Sequence, residues 1–519
     1  MPNALSLRPP ATFRRQGDAE LAMRIKDDFK VVAVGDLIQM VPISKRNDPD
    51  IQALVALTRS GDVTFANSEN VIVDHVTYRG PISHMEAPAS VADDWASMGI
   101  DMVCKANNHT HDNGDPGLLE NLAQLSRVGI TSVGADYNLQ EARMARLRAT
   151  PKGTVAFVGA YAKTEDYSQL YGLPRGHPVI VTATQLQQLR AMRDALVARS
   201  HEVPNPIDVP PDVHGSVLIF GRLFQLADGA EETAEAISIQ KRLEHHLNSR
   251  GTIATAINEL RLKVAHSVTA EQLAQLRAIA HDEGTGDTLD AWGVRFKAAP
   301  APGEYTYEMN RQDLREILRE VRTAKQFSDF TGVTIHWHQN RFSFQKYSFD
   351  HYPPQFQVDF AHAVIDNGAD FFFAHGVHTL KGVEIYKGKP IFYGVSNYIF
   401  QEQIFRSWRD DAERPPVPLE GPLLGEGEIN ESRWAWLSRR ENLKALLVTA
   451  QYKEAVLSEV LLYPAELGIV DRPSSEFGTP KRPTLEVAQE ILEDVVEYSK
   501  PFGTKITIEN GVGKIVLLN

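Results

Sequence analysis

Cysteine is almost absent from this chain, with Cys104 as the one example in 519 residues. A single thiol cannot form an internal disulfide framework, and this scarcity is typical of proteins from a reducing compartment. Cys104 ends the apolar run Ile100–Cys104. We therefore expect it to serve packing rather than nucleophilic chemistry.

Long apolar runs and net positive charge are lacking as well. No stretch approaches the roughly 18 consecutive apolar residues of a membrane-spanning helix, and the N-terminal residues show no apolar segment of the signal-peptide type. The net charge of −13 argues against a general binder of nucleic acid or of anionic membranes. We expect a soluble, cytoplasmic protein with a small-molecule or anionic substrate, no nucleic-acid partner and no membrane span.

Alternating strand-like and helical stretches make up most of the chain. From Lys30 to about Val158, short apolar runs alternate with helical segments, and the same pattern resumes near Thr331. One example is the helix predicted from Pro116 to Arg127, in which Asp115 can cap and Pro116 takes the first helical position. This alternation predicts an α/β fold in which helices cover a sheet.

The segment 166–301 interrupts the alternation and is predicted to be a mostly helical insertion. It is a candidate lid and a candidate surface for homo-oligomer formation. Its apolar positions recur at helical intervals, and they include Leu243, Leu247, Ile257, Leu260, Leu262, Leu273 and Leu276. The predicted organisation comprises an N-terminal extension (1–29), the first half of the main domain (30–165), the insertion (166–301), the second half (302–465) and a C-terminal helix and hairpin (466–519).

Polar side chains with metal-binding chemistry follow one of the predicted strands at the point where it ends. The stretch Lys105–Asp112 contains Asn108, His109 and Asp112 directly after an apolar run. Asn offers an oxygen ligand, His offers a nitrogen ligand or a titrating acid, and Asp112 can orient His109. Taken alone, the stretch is equally compatible with an Asn-rich turn whose histidines are solvated.

The same signal recurs at other strand ends, which supply Asp36, Glu69, His336, His375 and His378. The carboxyl ends of strands are where an α/β sheet places its chemistry. A pair of divalent cations about 3.5–4 Å apart is held by carboxylate, amide and imidazole groups and activates a water molecule. The recurrence therefore predicts a centre of two divalent metal ions, with Mn, Zn or Fe as the fitting elements.

Longer motifs surround these positions, and together they resemble those of the CapA family, the poly-γ-glutamate capsule biosynthesis proteins of the calcineurin-like metallophosphoesterase superfamily. The resemblance covers about 30–164 and 331–401. In chain order the motifs are Gly35-Asp36, Phe65-Ala66-Asn67-Ser68-Glu69, Ala106-Asn107-Asn108-His109 with Asp112-Asn113-Gly114, His336-Trp337, Gly368-Ala369-Asp370, His375-Gly376-Val377-His378 and Lys389-Pro390-Ile391-Phe392-Tyr393-Gly394-Val395-Ser396-Asn397.

The resemblance implies a four-layer α/β/β/α sandwich with the metals above the sheet edges. It also implies that His109 is the general acid that protonates the leaving group and that Asp112 orients it. The implied metal ligands are Asp36 and His378 on one ion, Glu69 as the bridge, and Asn108, His336 and His375 on the other ion.

The chain departs from the family pattern at several places, among them Ser68, where the family usually has Leu before the bridging Glu. Ile38 stands where the phosphoesterase pattern has a histidine, so one ion has fewer ligands and a mononuclear centre stays open. The stretch 338–340 replaces a Glu-containing segment, and His338 is a metal ligand, a substrate contact or an exposed loop histidine. The other candidate substrate contacts are Asn67, Lys105, Arg341 and Asn397, although basic side chains are more often solvated.

Three functions remain open on the sequence. The first is a metal-dependent hydrolase acting on a phosphoester or an amide-type bond, since both reactions need stabilisation of an oxyanion. The second is a non-hydrolytic component of anionic-polymer biosynthesis or binding, of the poly-γ-glutamate capsule type. The third is a scaffold with vestigial ligands. We favour the enzyme over the polymer-binding role because that role would ordinarily require a membrane anchor or signal, and over the scaffold because nearly every expected ligand is present.

Overall fold

The structure is a computed structural model. It describes residues 21–164 except 26 and 84, 179–200, 215–226 except 221, 255–299, 302–341, 350–401, 439–468, 472 and 476–517. Most of the predicted N-terminal extension therefore lies outside the described residues, as do Leu243 and Leu247. No helix in the described ranges is long and apolar enough to cross a membrane.

Alternating strands and helices build the first part of the fold. The strands are β1 (Phe29–Ile38), β2 (Val63–Ser68), β3 (Val71–Val73), β4 (Glu86–Pro88), β5 (Met102–Cys104), β6 (Thr131–Val133), β7 (Ala135–Asp136), β8 (Arg146–Thr150) and β9 (Gly153–Thr164). The helices are α1 (Pro49–Thr58), α2 (Ser90–Ser97), α3 (Gly114–Arg127) and α4 (Leu139–Arg143).

The described part of the insertion contains both strands and helices. Its elements are β10 (Val179–Ile180), α5 (Ala183–Ser200), β11 (Ser216–Ile219), β12 (Arg222–Gln225), β13 (Ala256–Ile257), β14 (Glu259–Val268), α6 (Ala270–Ala280), β15 (Thr288–Ala291) and β16 (Val294–Ala298).

The α/β alternation then resumes and ends in two hairpins. The elements are β17 (Tyr305–Met309), α7 (Arg311–Phe327), β18 (Phe330–His336), α8 (Gln355–Asp366), β19 (Phe371–His375), β20 (Val383–Tyr386), β21 (Lys389–Phe392), β22 (Asn397–Phe400), β23 (Lys444–Lys453), β24 (Val456–Glu466), α9 (Leu485–Ser499), β25 (Ile506–Glu509) and β26 (Val512–Ile515). Short 3₁₀ turns cover Arg440–Leu443 and Lys500–Phe502.

Two large sheets form the centre of the molecule. In the first, the order is β25-β26-β24-β23-β1-β2-β5-β6, with β22 also paired to β1. In the second, it is β15-β16-β14-β9-β18-β19-β21-β20, with β17 paired to β14 and β8 to β9. The strands β1, β2, β5 and β6 run parallel, as do β9, β18, β19 and β21.

The sheets pack face to face through an aromatic core. The Phe65 ring stacks on Phe157 at 4.3 Å between centroids, and Phe157 lies 6.1 Å from Phe373. On the outer faces, α1, α2 and α3 bury apolar side chains against the first sheet, and α7 and α8 do so against the second. The order of layers is therefore α/β/β/α, and the predicted four-layer sandwich is confirmed.

The helical character predicted for the region around 256–268 is wrong. Ile257 lies in β13, and Leu260 and Leu262 lie in β14, with both leucines fully buried. These leucines alternate with Arg261 and Lys263, which is the period of a strand, so a short leucine-rich run was misjudged. Leu273 and Leu276 do lie on a helix, α6. The bounds of the predicted segments stay a prediction.

A buried ion-pair network fixes the amino-terminal ends of β18 and β19. The Nζ of Lys325 lies 2.7 Å from Asp370 Oδ2, and that of Lys389 lies 2.9 Å from Asp370 Oδ1. The backbone N–H of Thr331 donates to the same carboxylate at 2.9 Å. Because the Asp370 and Lys325 side chains are buried, neither charge has water as an alternative partner.

The first prediction concerns this network. Replacement Asp370→Ala leaves Lys325 buried without its counter-charge, and we expect a loss of about 3–5 kcal/mol in the free energy of unfolding. The control is Asp366→Ala, which removes the exposed partner of Lys387 and should cost no more than about 1 kcal/mol. Urea denaturation measures both, and equal losses would contradict the role of the network.

Candidate metal centre

The parallel strands bring their carboxyl ends to one place. Asp36 of β1 is the register partner of both Asn67 on β2 and Asn397 on β22. In the second sheet, His336 ends β18 opposite His375, the last residue of β19. Equal register on neighbouring parallel strands places these side chains at one level, which is why residues far apart in sequence meet.

The carboxylate of Asp36 lies at the centre of the site and is fully buried. Its Oδ1 atom is 3.2 Å from His375 Nδ1 and 3.8 Å from His336 Nδ1. Its Oδ2 atom is 3.7 Å from His378 Nδ1. One carboxylate therefore faces three imidazoles.

Hydrogen bonds keep Asp36 ionised in this position. Asn67 Nδ2 donates to Oδ1 at 2.8 Å, and the backbone N–H of Gly376 donates to Oδ2 at 3.0 Å. Burial alone would raise the pKa of the Asp36 carboxyl, but the hydrogen bond and charge of His375 hold that pKa below its ordinary value. The group is thus an anion suited to bind a cation.

The imidazoles of His336 and His375 are buried side by side, with their Nδ1 atoms 3.0 Å apart. Burial lowers the pKa of His336 well below its ordinary value, and the charges of His375 and His378 act in the same direction. His336 is therefore neutral near pH 7, which is the form that ligates metals. Within the described residues, the Nε2 atoms of His336 and His375 are buried without a hydrogen-bond partner.

Glu69 follows β2 and reaches the same centre from the first sheet. Its side chain is fully buried, and its Oε2 accepts from Asn67 Nδ2 at 3.3 Å. The same amide nitrogen lies 3.3 Å from His336 Nδ1. Asn67 therefore contacts three of the predicted metal ligands and spaces them, while its role as a substrate contact stays a prediction.

Lys105, another predicted substrate contact, donates to the backbone beside Glu69. Its side chain is fully buried, and its Nζ lies 3.1, 3.5 and 2.5 Å from the backbone oxygens of Ser68, Glu69 and Asn70. An ammonium group has three donors, so these carbonyls use all of them. Burial lowers the pKa of Lys105 to about 7. The side chain fixes the segment that carries Glu69.

His109 and Asp112 form the pair that the sequence predicted. His109 Nδ1 lies 2.6 Å from Asp112 Oδ2, and its Nε2 is 3.9 Å from Glu69 Oε1. A carboxylate can only accept, so Nδ1 carries the proton and Nε2 faces the centre. The Oδ1 of the neighbouring Asn108 is buried and has no hydrogen-bond partner among the described residues. It is therefore not joined to the ligand groups by a described hydrogen bond.

His378 is oriented by Asn397. The ring donates from Nδ1 to Asn397 Oδ1 at 2.7 Å, and the backbone of His378 has the left-handed φ of 55°. The amide Nδ2 of Asn397 is buried and has no hydrogen-bond partner among the described residues. A non-glycine residue with positive φ is uncommon and is often found at functional sites.

Two candidates remain, His338 and Arg341, and His338 lies at the centre. His338 is 7% exposed, so it is not the exposed loop histidine that the sequence left open. Its ring centroid is 4.7 Å from that of His336 and 5.8 Å from that of His378. Arg341 Nη2 instead lies 2.9 Å from Asp350 Oδ1.

Two overlapping sets of ligand atoms result from this arrangement. Asp36, His336 and His375 form one set, and Asp36, Glu69 and His378 form the other, with the atoms of each set within 4.8 Å of one another. Asp36 is common to both, whereas the resemblance implied that Glu69 is the bridge. The orphaned imidazole nitrogens and the mixed carboxylate and imidazole donors fit a divalent transition metal.

The sequence comparison agrees with the positions of these motifs. The sequence model of the bacterial capsule synthesis protein family PGA_cap matches residues 25–213 and 228–402, which is more than half of the chain. The chain belongs to this family. The resemblance to CapA proteins is thereby confirmed.

Relatives of this PGA_cap protein match it to different extents. The Sinorhizobium fredii proteins named "Uncharacterized protein y4sH" and "Uncharacterized protein y4uA" are each 27% identical over 96% of this chain and 95% of their own length. The Bacillus subtilis "PGA biosynthesis protein CapA" is 34% identical over 18% of this chain and 22% of its own.

Among solved structures, a Staphylococcus aureus protein described as a candidate 5'-nucleotidase aligns over 91% of this chain and 58% of that chain, with 9% identity and a TM-score of 0.33. A TM-score this low does not support any inference from that structure to this PGA_cap protein.

Three site residues were missed in the sequence. Asn107 donates from Nδ2 to Ser68 O at 2.9 Å and accepts from the backbone N–H of His109 at 3.1 Å; its place in the motif was the available signal. Thr255 Oγ1 lies 2.8 Å from His111 Nε2 and donates to Asp115, and no local pattern indicates this contact.

Asp115, the predicted cap of α3, lies within its first turn instead. The helix begins at Gly114, with Asn113 at the capping position.

Gly376 is the third missed residue, and it makes room for His336. A Cβ atom at Gly376 would lie 2.7 Å from His336 Nε2, and the backbone has a φ of +96°. Gly388 offers a matched comparison because its φ is +72° but nothing lies within 4 Å of its Cβ position. Glycine is thus required at this position for two reasons. It adopts the positive φ, and its lack of a Cβ leaves space for the imidazole of His336.

The second prediction compares these glycines. We expect Gly388→Ala to cost about 1–2 kcal/mol in the free energy of unfolding, from backbone strain alone. Gly376→Ala should cost about 1–3 kcal/mol more, because the imidazole of His336 must also move. Denaturant unfolding of both variants measures the difference, and equal losses would show that His336 is not confined by Gly376.

Proposed function

We propose that this PGA_cap protein is a metal-dependent hydrolase whose centre holds two divalent ions. The observation that carries the proposal is the position of Asp36, which is a buried anion common to both sets of ligand atoms. Burying so many ionisable groups without a cation is costly, whereas two ions would neutralise the carboxylates and occupy the imidazole lone pairs.

Each ion has its own proposed ligands. His336 and His375 hold one together with Asp36, while Glu69 and His378 hold the other together with Asp36, and Asn108 offers an additional oxygen. Mn, Zn or Fe suits this donor set. When bound, the ions supply a water of lowered pKa and neutralise charge that develops on the attacked group.

The remaining residues orient these groups and move a proton. His109, with Nδ1 bonded to Asp112, holds its second nitrogen towards Glu69 and donates a proton from Nε2 to the leaving group. Asn67 and Lys105 keep Asp36 and Glu69 at their spacing. Asn397 fixes the ring of His378, and its amide nitrogen, which has no partner among the described residues, is available to a substrate oxygen.

The substrate bond is a phosphoester or an amide-type bond, because both develop negative charge on an oxygen when attacked. A second function has a specific observation in its favour. The Bacillus subtilis relative is named for PGA biosynthesis. In this second function, the centre would bind an anionic polymer without cleaving it.

The third prediction separates metal binding from proton transfer. We expect the purified protein, after reconstitution with Mn or Zn, to hold about two ions and to hydrolyse an aryl phosphodiester or one of a panel of amides. His375→Gln should lose metal. His109→Gln should keep the metal and lower kcat by about 10²- to 10⁴-fold, the usual contribution of a general acid.

Elemental analysis and steady-state kinetics measure these outcomes. His362→Gln is the matched control, because His362 pairs with Glu384 on α8 and β20 and contacts none of the proposed ligands. Absence of bound metal in the wild type would contradict the proposal. Bound metal with binding of poly-γ-glutamate but no hydrolysis of any substrate would favour the second function.

A further inference from the structure

The loop that follows β18 departs from the family motif and carries an additional imidazole into the centre. His338 lies two residues beyond His336, and its ring packs against both His336 and His378. These belong to different sets of ligand atoms. Among the described residues, His338 is not a member of either set, although its ring lies against one histidine of each.

Hydrogen bonds hold the loop at His338 and at the next residue, Gln339. The backbone N–H of His338 donates to the side chain of Gln339 at 3.2 Å, and Gln339 Nε2 donates to the backbone oxygen of Ala162 at 3.0 Å. Gln357 Nε2, from α8, donates to the backbone oxygen of Gln339 at 3.0 Å. Gln339 and Gln357 are both buried. Strand β9, through Ala162, and helix α8, through Gln357, therefore hold the loop at Gln339.

Strand β17 braces the next part of the loop. The hydroxyl of Tyr307 donates to the backbone oxygen of Asn340 at 2.7 Å. The backbone N–H of Tyr305 donates to the backbone oxygen of Arg341, also at 2.7 Å. Arg341 is in turn paired with the buried Asp350. Since β17 pairs along its length with β14 of the insertion, the loop is attached to the inserted segment.

A side chain whose supporting loop is fixed residue by residue is preorganised to contact a ligand. An imidazole next to a metal centre can donate N–H to an anionic oxygen of a bound molecule. On this basis, and resting on the proposed function, we propose that His338 contacts the substrate by binding an oxyanion, and that β17 fixes the loop that presents it. The ligand class is a phosphate or carboxylate group.

The fourth prediction tests this role with inorganic phosphate as the probe. In the metal-reconstituted protein, His338→Gln should keep the wild-type metal content and bind phosphate about tenfold more weakly, which corresponds to the loss of one strong hydrogen bond. Tyr307→Phe, which removes only the bond to the loop, should show a smaller loss in the same direction. Isothermal titration calorimetry and elemental analysis provide the readouts.

Two reference variants make the result decisive. His336→Gln should lose metal, and His362→Gln should match the wild type in both metal content and phosphate affinity. The proposal is overturned if His338→Gln loses metal as His336→Gln does, if its phosphate affinity is unchanged, or if the wild type binds no phosphate. Unchanged affinity in Tyr307→Phe would overturn the role of β17.

Because neither readout needs turnover, a protein that binds metal and phosphate but hydrolyses no substrate would contradict the hydrolase proposal alone. The oxyanion contact of His338 would then still be measured directly. Conversely, the His338→Gln variant could hydrolyse substrate with unaltered kcat/KM and bind phosphate as the wild type does. That result would agree with the hydrolase proposal and contradict a role of His338 in substrate binding.

Discussion

The buried carboxylate of Asp36 is the constraint on which the rest of the site depends. An ionised carboxyl is costly to bury unless donors and positive charges surround it. Here Asn67 and the backbone of Gly376 donate to it, and His375 lies 3.2 Å from one of its oxygens. The neighbouring groups are arranged around this anion, and together these carboxylate and imidazole groups are suited to bind a cation.

The fold serves this arrangement by aligning strand ends from two sheets. β1 and β2 bring Asp36, Asn67 and Glu69 from the first sheet, while β18 and β19 bring His336 and His375 from the second. The stacked rings of Phe65, Phe157 and Phe373 lie between the sheets and fix their separation. Because packed aromatic cores deform little, the two halves of the site are kept at a defined distance.

Much of the fold could be predicted from the sequence, because its strongest patterns are local. The strand–helix alternation predicted from Lys30 to about Val158 is present as β1 to β9 with α1 to α4, and Leu273 and Leu276 lie on a helix as their spacing indicated. The family motifs also predicted that Asp36, Glu69 and the histidines would meet. Their signal is strong because each follows a buried strand.

What could not be predicted depends on contacts between distant residues. The burial of Lys105 follows from three carbonyls across the site, and nothing next to it in sequence indicates them. Likewise, the choice between Asp36 and Glu69 as the shared ligand depends on side-chain distances that no motif encodes.

The measurement that tests the central claim most directly is the metal content of three variants after identical reconstitution. If Asp36 joins both sets of ligands, Asp36→Asn should retain almost no metal, while His378→Gln should retain about half of the wild-type content, since it removes a ligand from one ion only. The contrary result is an Asp36→Asn variant with half of the metal beside a Glu69→Gln variant with none. That outcome would make Glu69 the bridge.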